Sequence, residues 1–143
     1  DRVGEQQVRI FEDENVDLNK VYIGHSNDTT DIHYLETLLD KGVWIGLDRY
    51  PGGRTMGTPN WEQRTETAMK LIADGYGGKI MLGHDWSVTL SIDSKEGQAS
   101  RSKYNPDRYL FITRQVLPRL KELGASEQDI QNIMVDNPRR FFE

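Results

Sequence analysis

Hydrophobic residues are nearly continuous in three short runs of the chain, without the polar–apolar alternation of a strand that has one exposed face. The runs are Val21-Tyr22-Ile23-Gly24, Val43-Trp44-Ile45-Gly46 and Lys79-Ile80-Met81-Leu82-Gly83. Strands of a parallel sheet that is covered by helices on both faces have this continuous apolar pattern. We therefore predict that each run is a buried strand.

Between and around these runs, apolar residues recur every three or four positions, which is the spacing of an amphipathic helix. Residues 4–16 are predicted to form the first helix. The apolar stripes of the later helices are Ile32, Leu35, Leu38 and Leu39; Trp61, Ala68, Leu71 and Ile72; Ile112, Val116, Leu120 and Leu123; and Ile130, Ile133 and Met134. The predicted order, α-β-α-β-α-β-α-α, is typical of right-handed βαβ units in an α/β domain.

Residues at the ends of the stripes predict where the helices begin and end. Asn60, with Gln63 three residues later, has the pattern of a capping box, and Ser126 is a second N-cap candidate. Because Pro118 lies inside a stripe, we expect a kink or break there, and Asn137-Pro138 is expected to open a last turn that carries Phe141. The glycines placed to close a helix in a left-handed conformation are Gly42, Gly75 and Gly124.

The stretch from Ser87 to Tyr104 has no periodic pattern of apolar residues. We predict that it is a long loop after the third strand. Loops of this length in compact domains are often lids or binding loops.

Composition narrows the class of protein. A chain of 143 residues has the size of one domain, and the absence of cysteine excludes disulfides and thiolate metal sites. A reducing cytoplasm is the expected compartment. The net charge of −5 argues against a surface for nucleic acid or anionic membranes. No apolar run is long enough to cross a bilayer, and we expect no leader sequence at the start of the chain.

A weak internal repeat places glycine and then a metal-binding or acidic residue at the end of each predicted strand. The repeat is Ile-Gly-His at 23–25, Ile-Gly-Leu-Asp at 45–48 and Leu-Gly-His-Asp at 82–85. In parallel α/β folds the functional site is built at the carboxyl ends of the strands. A histidine and an aspartate from neighbouring strands suit a divalent cation such as Zn²⁺. The candidate residues at these ends are His25, Asp48, Arg49 and Asp85.

Alternation of side chains along a strand predicts which residues share a face. If His25 points into a lumen, Ile23 and Val21 point there too, whereas Tyr22 and Ser26 face the helices.

The same alternation separates the two polar residues that follow the third strand. Asp85 and His84 cannot both point inward. We therefore predict that the Asp85 carboxylate points inward as the ligand and that His84 packs between strand and helix. The side chains of Asp48 and Arg49 are likewise expected to point in different directions, one toward the lumen and one toward the rim. The inward set of the third strand is Asp85, Gly83 and Met81, and the outward set is His84, Leu82 and Ile80.

Each candidate also has a purely structural interpretation. His25 at a strand end could be structural, and Asp85 could cap the following segment. Arg49 could serve only to neutralise the charge of the Asp48 carboxylate. His33 lies within an amphipathic helix and is expected to be a surface residue.

Five motifs carry a resemblance to a known family. They are Gly4-Glu5-Gln6-Gln7; Ile23-Gly24-His25-Ser26 with Asp28-Thr29; Gly46-Leu47-Asp48-Arg49-Tyr50; His84-Asp85; and Asn137-Pro138 with Phe141-Phe142. In their order and spacing they resemble the phosphotriesterase family of the amidohydrolase superfamily across nearly the whole chain. The Gly-Leu-Asp-Arg-Tyr motif is most similar to the phosphotriesterase-like lactonase branch.

The resemblance implies a (β/α)8 TIM barrel in which the three strands of this chain are the sixth, seventh and eighth. Residues 1–143 would then be the C-terminal half of a single metal-dependent hydrolase domain. The other half of the barrel would be a required partner.

The resemblance also implies a hydrolytic site with two divalent cations, Zn²⁺ being expected and Co²⁺, Mn²⁺ or Fe²⁺ being alternatives. His25 would bind the more exposed ion. Asp85 would bind the buried ion and, as the catalytic residue, handle the proton of a hydroxide that bridges the two metals. Asp48 would be a supporting residue. The implied substrate-binding residues are Arg49, Tyr50 and Trp86, together with the segment Gly52–Pro59 that follows the seventh strand.

Several features of the family have no counterpart in this sequence. The paired histidines of the first strand, the carboxylated lysine of the fourth and the histidine of the fifth are absent, and a barrel needs about 250 residues. A metal centre needs at least three protein ligands, so His25 and Asp85 are too few. Because position 1 is Asp, we expect that it is not a natural start. The isolated chain is expected to be inactive and to associate with the missing half or with itself, a homodimer included.

The function that these observations favour is hydrolysis of lactones, N-acyl homoserine lactones or similar compounds, with promiscuous activity on phosphotriesters. A dedicated phosphotriesterase needs the same metals and is the first alternative. An inactive half-barrel scaffold is the second. A flavodoxin-like binding domain is disfavoured because no glycine-rich turn follows the first strand.

Overall fold

The computed structural model describes residues 2–53, 56–86 and 94–143. Its sheet has three parallel strands in the order β1 (Tyr22–Ile23), β2 (Trp44–Leu47) and β3 (Ile80–Leu82). In the register, Ile23 pairs with Ile45, and Ile45 pairs with Ile80. The three predicted strands and their parallel arrangement are therefore confirmed.

Helices alternate with these strands and continue after them. In the described ranges the α-helices are α1 (Val3–Asp13), α2 (Ile32–Asp40), α3 (Trp61–Ala73), α4 (Lys95–Tyr104), α5 (Leu117–Glu122), α6 (Glu127–Gln131) and α7 (Asn137–Phe142). Short 3₁₀ turns are Leu18–Lys20, Ser26–Asp28, Tyr76–Lys79 and Arg108–Leu110. No helix of the described part is both long and apolar enough to cross a membrane.

The predicted helix ends agree with the structure. Asn60 and Gln63 form the expected reciprocal capping box at the start of α3, and the Ser126 side chain accepts the backbone N–H of Asp129 at the start of α6. Such caps satisfy backbone donors that have no partner within the helix. The glycines that close helices with positive φ are Gly42, Gly75 and Gly124.

The segment after β3 differs from the prediction of a single long loop. Residues 87–93 lie outside the described part, but Lys95–Tyr104 is helix α4, and the Ser94 side chain caps it by accepting the N–H of Gly97. None of its residues is buried. Because the helix buries no apolar stripe, hydrophobic periodicity could not reveal it.

Pro118 and Pro138 each follow a π-helical turn. A π-helical turn, Ile112–Val116, leads directly into α5, where Pro118 stands at the start. A second π-helical turn, Asn132–Asp136, joins α6 to α7 ahead of Pro138. The wider turn leaves room for a ring that would clash with a carbonyl inside a regular α-helix. Helical structure is continuous through Pro118, so a break there is wrong, whereas α7 begins at Asn137 as expected.

The core lies between the sheet and its surrounding helices. Ile45, Leu47 and Ile80 of the strands are fully buried against Leu35 of α2 and Leu71 of α3. The same core cluster also contains apolar residues of the later helical segments, namely Ile112, Val116, Leu120 and Ile133. This face of the sheet is therefore the helix-covered face, and the opposite one is called here the second face.

The predicted facing of the first strand is wrong, whereas that of the third is right. Val21 and Ile23 belong to the helix-covered core, and Tyr22 lies on the second face with its hydroxyl against Asp48. His25 still reaches the second face because its φ of +58° reverses the direction that alternation in an extended strand would give. On the third strand, His84 lies on the helix side, where its Nε2 accepts the N–H of Ile112 at 3.3 Å.

Candidate metal-binding site

His25 and Asp85 come together at the carboxyl edge of the sheet. They follow β1 and β3, on either side of the central strand, and their Nε2 and Oδ2 atoms are 3.9 Å apart. Each side chain is about half exposed, at 55% and 50%. Both residues have left-handed backbone conformations, with φ of +58° and +47°. Such conformations are uncommon for residues other than glycine and often mark functional sites.

Asp48 holds the backbone of His25 in place. Its Oδ1 accepts the N–H of His25 at 2.7 Å, and its Oδ2 accepts the hydroxyl of Tyr22 at 3.0 Å. Burial, followed by the charge of Asp48, raises the pKa of Tyr22, so the phenol remains a hydrogen-bond donor at neutral pH. Through these two hydrogen bonds Asp48 holds the backbone of His25 beside Tyr22.

The glycines of the sequence repeat make room for this arrangement. A Cβ atom at Gly46 would lie 2.0 Å from the hydroxyl of Tyr22, and one at Gly83 would lie 2.9 Å from Cβ of Asp48. A Cβ atom at Gly24 would lie 3.2 Å from Oδ2 of Asp48. The repeat therefore reflects the packing of one Tyr22–Asp48 pair across three strands.

Arg49 points to different partners from Asp48, as alternation predicted. Its Nη1 donates to Oδ2 of Asp28 at 2.6 Å, and its Nε lies 3.4 Å from Oδ2 of Asp85. Its backbone N–H is held by the side-chain oxygen of Asn27, which is fully buried. Arg49 thus connects the Asp85 carboxylate to a buried polar cluster.

Arg64 is a site residue that the sequence analysis missed. It is only 1% exposed, and its Nη2 donates to Oδ1 of Asp28 at 2.8 Å. Its Nε donates to the carbonyl of Pro59 at 2.8 Å, and among the described residues its Nη1 has no hydrogen-bond partner. The available signal was its position, since Arg64 falls in line with Trp61 and Ala68 on the apolar stripe of α3.

A cleft lies beside these residues, and the implied substrate-binding residues line it. Arg49 and Trp86 are partly exposed, whereas Tyr50 is 1% exposed and forms part of the wall. Burial raises the pKa of Tyr50, so its hydroxyl stays protonated. The guanidinium of Arg101 on α4 stacks over the Trp86 ring at 5.1 Å. Of the segment Gly52–Pro59, residues 54 and 55 lie outside the described part.

The distance between His25 and Asp85 tests whether they fit a cation. The resemblance assigns the two residues to neighbouring ions of one centre, and the ions of a two-metal site lie about 3.5–4 Å apart. The observed 3.9 Å is close to this separation, and an imidazole nitrogen with a carboxylate oxygen is a donor set that suits Zn²⁺. Among the described residues, no group of three His, Cys, Asp or Glu side chains could hold a metal ion. The pair therefore fits part of a cation site that needs at least one further ligand.

The fold and the site together define an α/β protein with a candidate cation site at the carboxyl edge of a parallel sheet. The sequence profile of the phosphotriesterase family matches residues 1–142. The chain belongs to the phosphotriesterase family, and the family expected from its motifs is confirmed.

Individual relatives agree with this assignment. The chain is 38% identical to an aryldialkylphosphatase of Saccharolobus solfataricus, over 97% of the chain and 43% of that protein. It is 34% identical to an N-acetyltaurine hydrolase of Dictyostelium discoideum, over 94% of the chain and 36% of that protein. The structure of the phosphotriesterase from Mycobacterium tuberculosis superposes with a TM-score of 0.88 at 36% identity, covering 99% of the chain and 42% of that structure. The chain thus spans less than half the length of these relatives.

Proposed function

We propose that the protein carrying this chain is a metal-dependent hydrolase that opens lactones and acts promiscuously on phosphotriesters. The observation that carries the proposal is the approach of His25 and Asp85 to 3.9 Å at the carboxyl edge of the sheet. Membership of the phosphotriesterase family supports it. The Gly-Leu-Asp-Arg-Tyr motif at 46–50 is the reason for preferring lactones.

The proposal includes a complete (β/α)8 barrel, of which this chain supplies the last three strands and their helices. In the described sheet, β1 and β3 are edge strands, and edge strands expose backbone groups that can pair with another strand. Five further strands would close the barrel and bring the missing ligands to His25 and Asp85. This other half of the barrel is the principal partner that we propose.

The side chains of this chain have separable roles in the proposed reaction. Divalent cations, Zn²⁺ being the preferred choice, would activate water and polarise the substrate oxygen. His25 and Asp85 would hold them, and Asp85 would accept the proton of the attacking water and return it to the leaving group. Arg49, Tyr50 and Trp86 would orient the substrate in the adjacent cleft.

A dedicated phosphotriesterase is the second candidate. It is favoured by the 38% identity to a protein named aryldialkylphosphatase. The same side chains would serve either reaction, since both need a cation pair and a proton acceptor. The two candidates differ in the shape of the cleft and hence in relative rates.

Turnover by the intact protein tests the proposal. The purified protein is loaded with Zn²⁺ or Co²⁺ and assayed with an N-acyl homoserine lactone, an aryl dialkyl phosphate and N-acetyltaurine. We expect kcat/KM for the lactone to exceed that for the phosphotriester. Asp85→Asn should reduce kcat by about a hundredfold or more, because it removes the proton acceptor. A matched control is Asp129→Asn, which changes an exposed aspartate on α6 far from the cleft.

Three outcomes separate the candidates. Faster turnover of the phosphotriester would favour the dedicated phosphotriesterase. Bound metal with faster turnover of N-acetyltaurine would move the substrate class to amides. An intact protein without bound metal and without turnover would support the scaffold alternative and contradict the proposal.

A further inference from the structure

The buried arginine of α3 has no role in the reaction proposed above. Arg64 occupies a position on the apolar stripe of the helix where a leucine would pack without the cost of burying a charge. A buried ion pair is weak evidence for stability, because desolvation offsets much of the attraction between the charges. The contacts of Arg64 therefore point to a role other than stabilising the fold.

Asp28 joins Arg64 to the site. Its Oδ1 accepts from Nη2 of Arg64 at 2.8 Å, and its Oδ2 accepts from Nη1 of Arg49 at 2.6 Å. Arg49 in turn places its Nε 3.4 Å from Oδ2 of Asp85. One carboxylate thus lies between two guanidinium groups, of which one is buried and the other is 41% exposed and faces the cleft.

Packing fixes Arg64 at the buried end of this series of contacts, but it does not fix Arg49 at the exposed end. Arg64 is held by the carbonyl of Pro59 and by Gly52, where a Cβ atom would lie 1.9 Å from Nε of Arg64. Gly52 itself has a φ of +69°, which favours glycine. Arg49 has a long and partly exposed side chain, so its direction depends on Asp28.

We propose that Arg64 is a positioning residue, which fixes Asp28 and through Asp28 directs the guanidinium of Arg49 toward Asp85. The kinetic consequence rests on the proposed hydrolase function, whereas the geometric consequence does not. Arg64 itself touches neither the substrate nor the cations in this proposal.

A crystal structure of the intact Arg64→Gln protein tests the geometric part. We expect the Arg49 guanidinium to turn away, so that its Nε to Asp85 Oδ2 distance exceeds the ion-pair limit of about 4 Å. Arg119→Gln is the matched control, because Arg119 also links α3 to α5 through Glu66 but lies away from the cleft. An unmoved Arg49 in the Arg64→Gln protein would overturn the proposal.

A double-mutant cycle tests the kinetic part. Arg64→Gln and Arg49→Gln should each reduce kcat/KM roughly tenfold, mainly by raising KM, because the substrate loses its orientation. The double variant should be no worse than Arg49→Gln alone, since Arg64 acts through Arg49. If the reduction in kcat/KM of the double variant equals the product of the two single reductions, Arg64 acts independently of Arg49, and the proposal is overturned. Arg119→Gln should leave kcat/KM unchanged.

Two further variants keep the test decisive if Arg64→Gln does not fold. Arg64→Lys retains a cation that can reach one of its two acceptors but not both, so it should give a smaller rise in KM. Asp28→Asn alters the linking carboxylate, which is partly exposed, and should displace Arg49 as Arg64→Gln does. A wild-type KM in both variants would overturn the proposal. If the wild-type protein hydrolyses none of the assayed substrates, the proposed function fails, while the crystal structures still decide the position of Arg49.

Discussion

His25 and Asp85 both adopt a left-handed backbone conformation, which costs a non-glycine residue about 1–3 kcal/mol and persists only where contacts maintain it. At His25 the contact is the hydrogen bond from its N–H to Asp48, which Tyr22 also orients. The strain is thus located at the residues proposed to bind cations.

Replacing Asp48 tests this support. Asp48→Ala removes the acceptor of the His25 N–H, so the affinity of the intact protein for Zn²⁺ should fall by about 10–100-fold. Asp48→Asn keeps a hydrogen-bond acceptor of the same shape, so its affinity for Zn²⁺ should fall less. Competition with a fluorescent chelator measures both. Equal affinity in wild type and Asp48→Ala would mean that the hydrogen bond does not position His25.

His84 gives a prediction about pH. Burial lowers the pKa of His84 below its usual 6.5, and its Nε2 accepts the N–H of Ile112, which requires the neutral ring. The unfolded chain therefore binds this proton more readily than the folded one, and stability falls as pH decreases below about 6.5.

The variant His84→Gln isolates this effect, since its side-chain oxygen can accept the same N–H without titrating. Thermal melts of the intact protein between pH 7.5 and pH 5 should show a smaller decrease in Tm for His84→Gln than for wild type. Parallel curves would show that His84 does not contribute to the acid sensitivity.

Sequence predicted some residues of the site and missed others for a physical reason. Alternation in β3 placed His84 correctly on the helix side, because no residue from Ile80 to His84 has a positive φ that would interrupt it. The same rule failed for β1, where the positive φ of His25 ends the alternation. Arg64 was missed because its partner Asp28 is 36 positions away, and an arginine on an apolar stripe does not identify a distant partner.

At the scale of elements, Asn137 connects the last helix to the start of β3. Its side-chain amide donates to the carbonyls of Gly77 and Ile80 at 2.8 and 2.7 Å, and Asn137 is fully buried. This contact joins residues 57 and 60 positions apart and holds the start of α7 against the start of β3.

Asn137→Ala should lower the free energy of unfolding by about 1–3 kcal/mol, because it leaves one buried and one partly buried carbonyl without their donor. Urea denaturation of the intact protein measures the change. Asn132→Ala is the control, since the Asn132 side chain bonds to that of the exposed Gln128, and its effect should stay within about 0.5 kcal/mol. Similar losses for both variants would contradict the role given to Asn137.

Strands and capped helices were predictable because their signals are local. Continuous apolar runs gave β1 to β3, and the Asn60–Gln63 pair gave the start of α3. Helix α4 was not predictable from apolar periodicity because it buries none of its residues. The π-helical turns were also missed, since they depend on how the preceding helix accommodates a proline.

At the scale of the molecule, two candidate ligand side chains at one sheet edge and two open strand edges fit the proposed barrel completed by other strands. The order of elements predicted the parallel sheet, because βαβ units leave few alternatives. The further ligands that the proposal requires are not among the described residues, where no group of three His, Cys, Asp or Glu side chains could hold a metal ion.

X-ray diffraction from the intact protein at the zinc absorption edge tests the central claim most directly. The proposal predicts anomalous peaks within about 2.0–2.2 Å of both Nε2 of His25 and a carboxylate oxygen of Asp85, in one shared centre. Peaks that contact neither side chain, or a fully loaded protein with Asp85 bound only to Arg49, would contradict it.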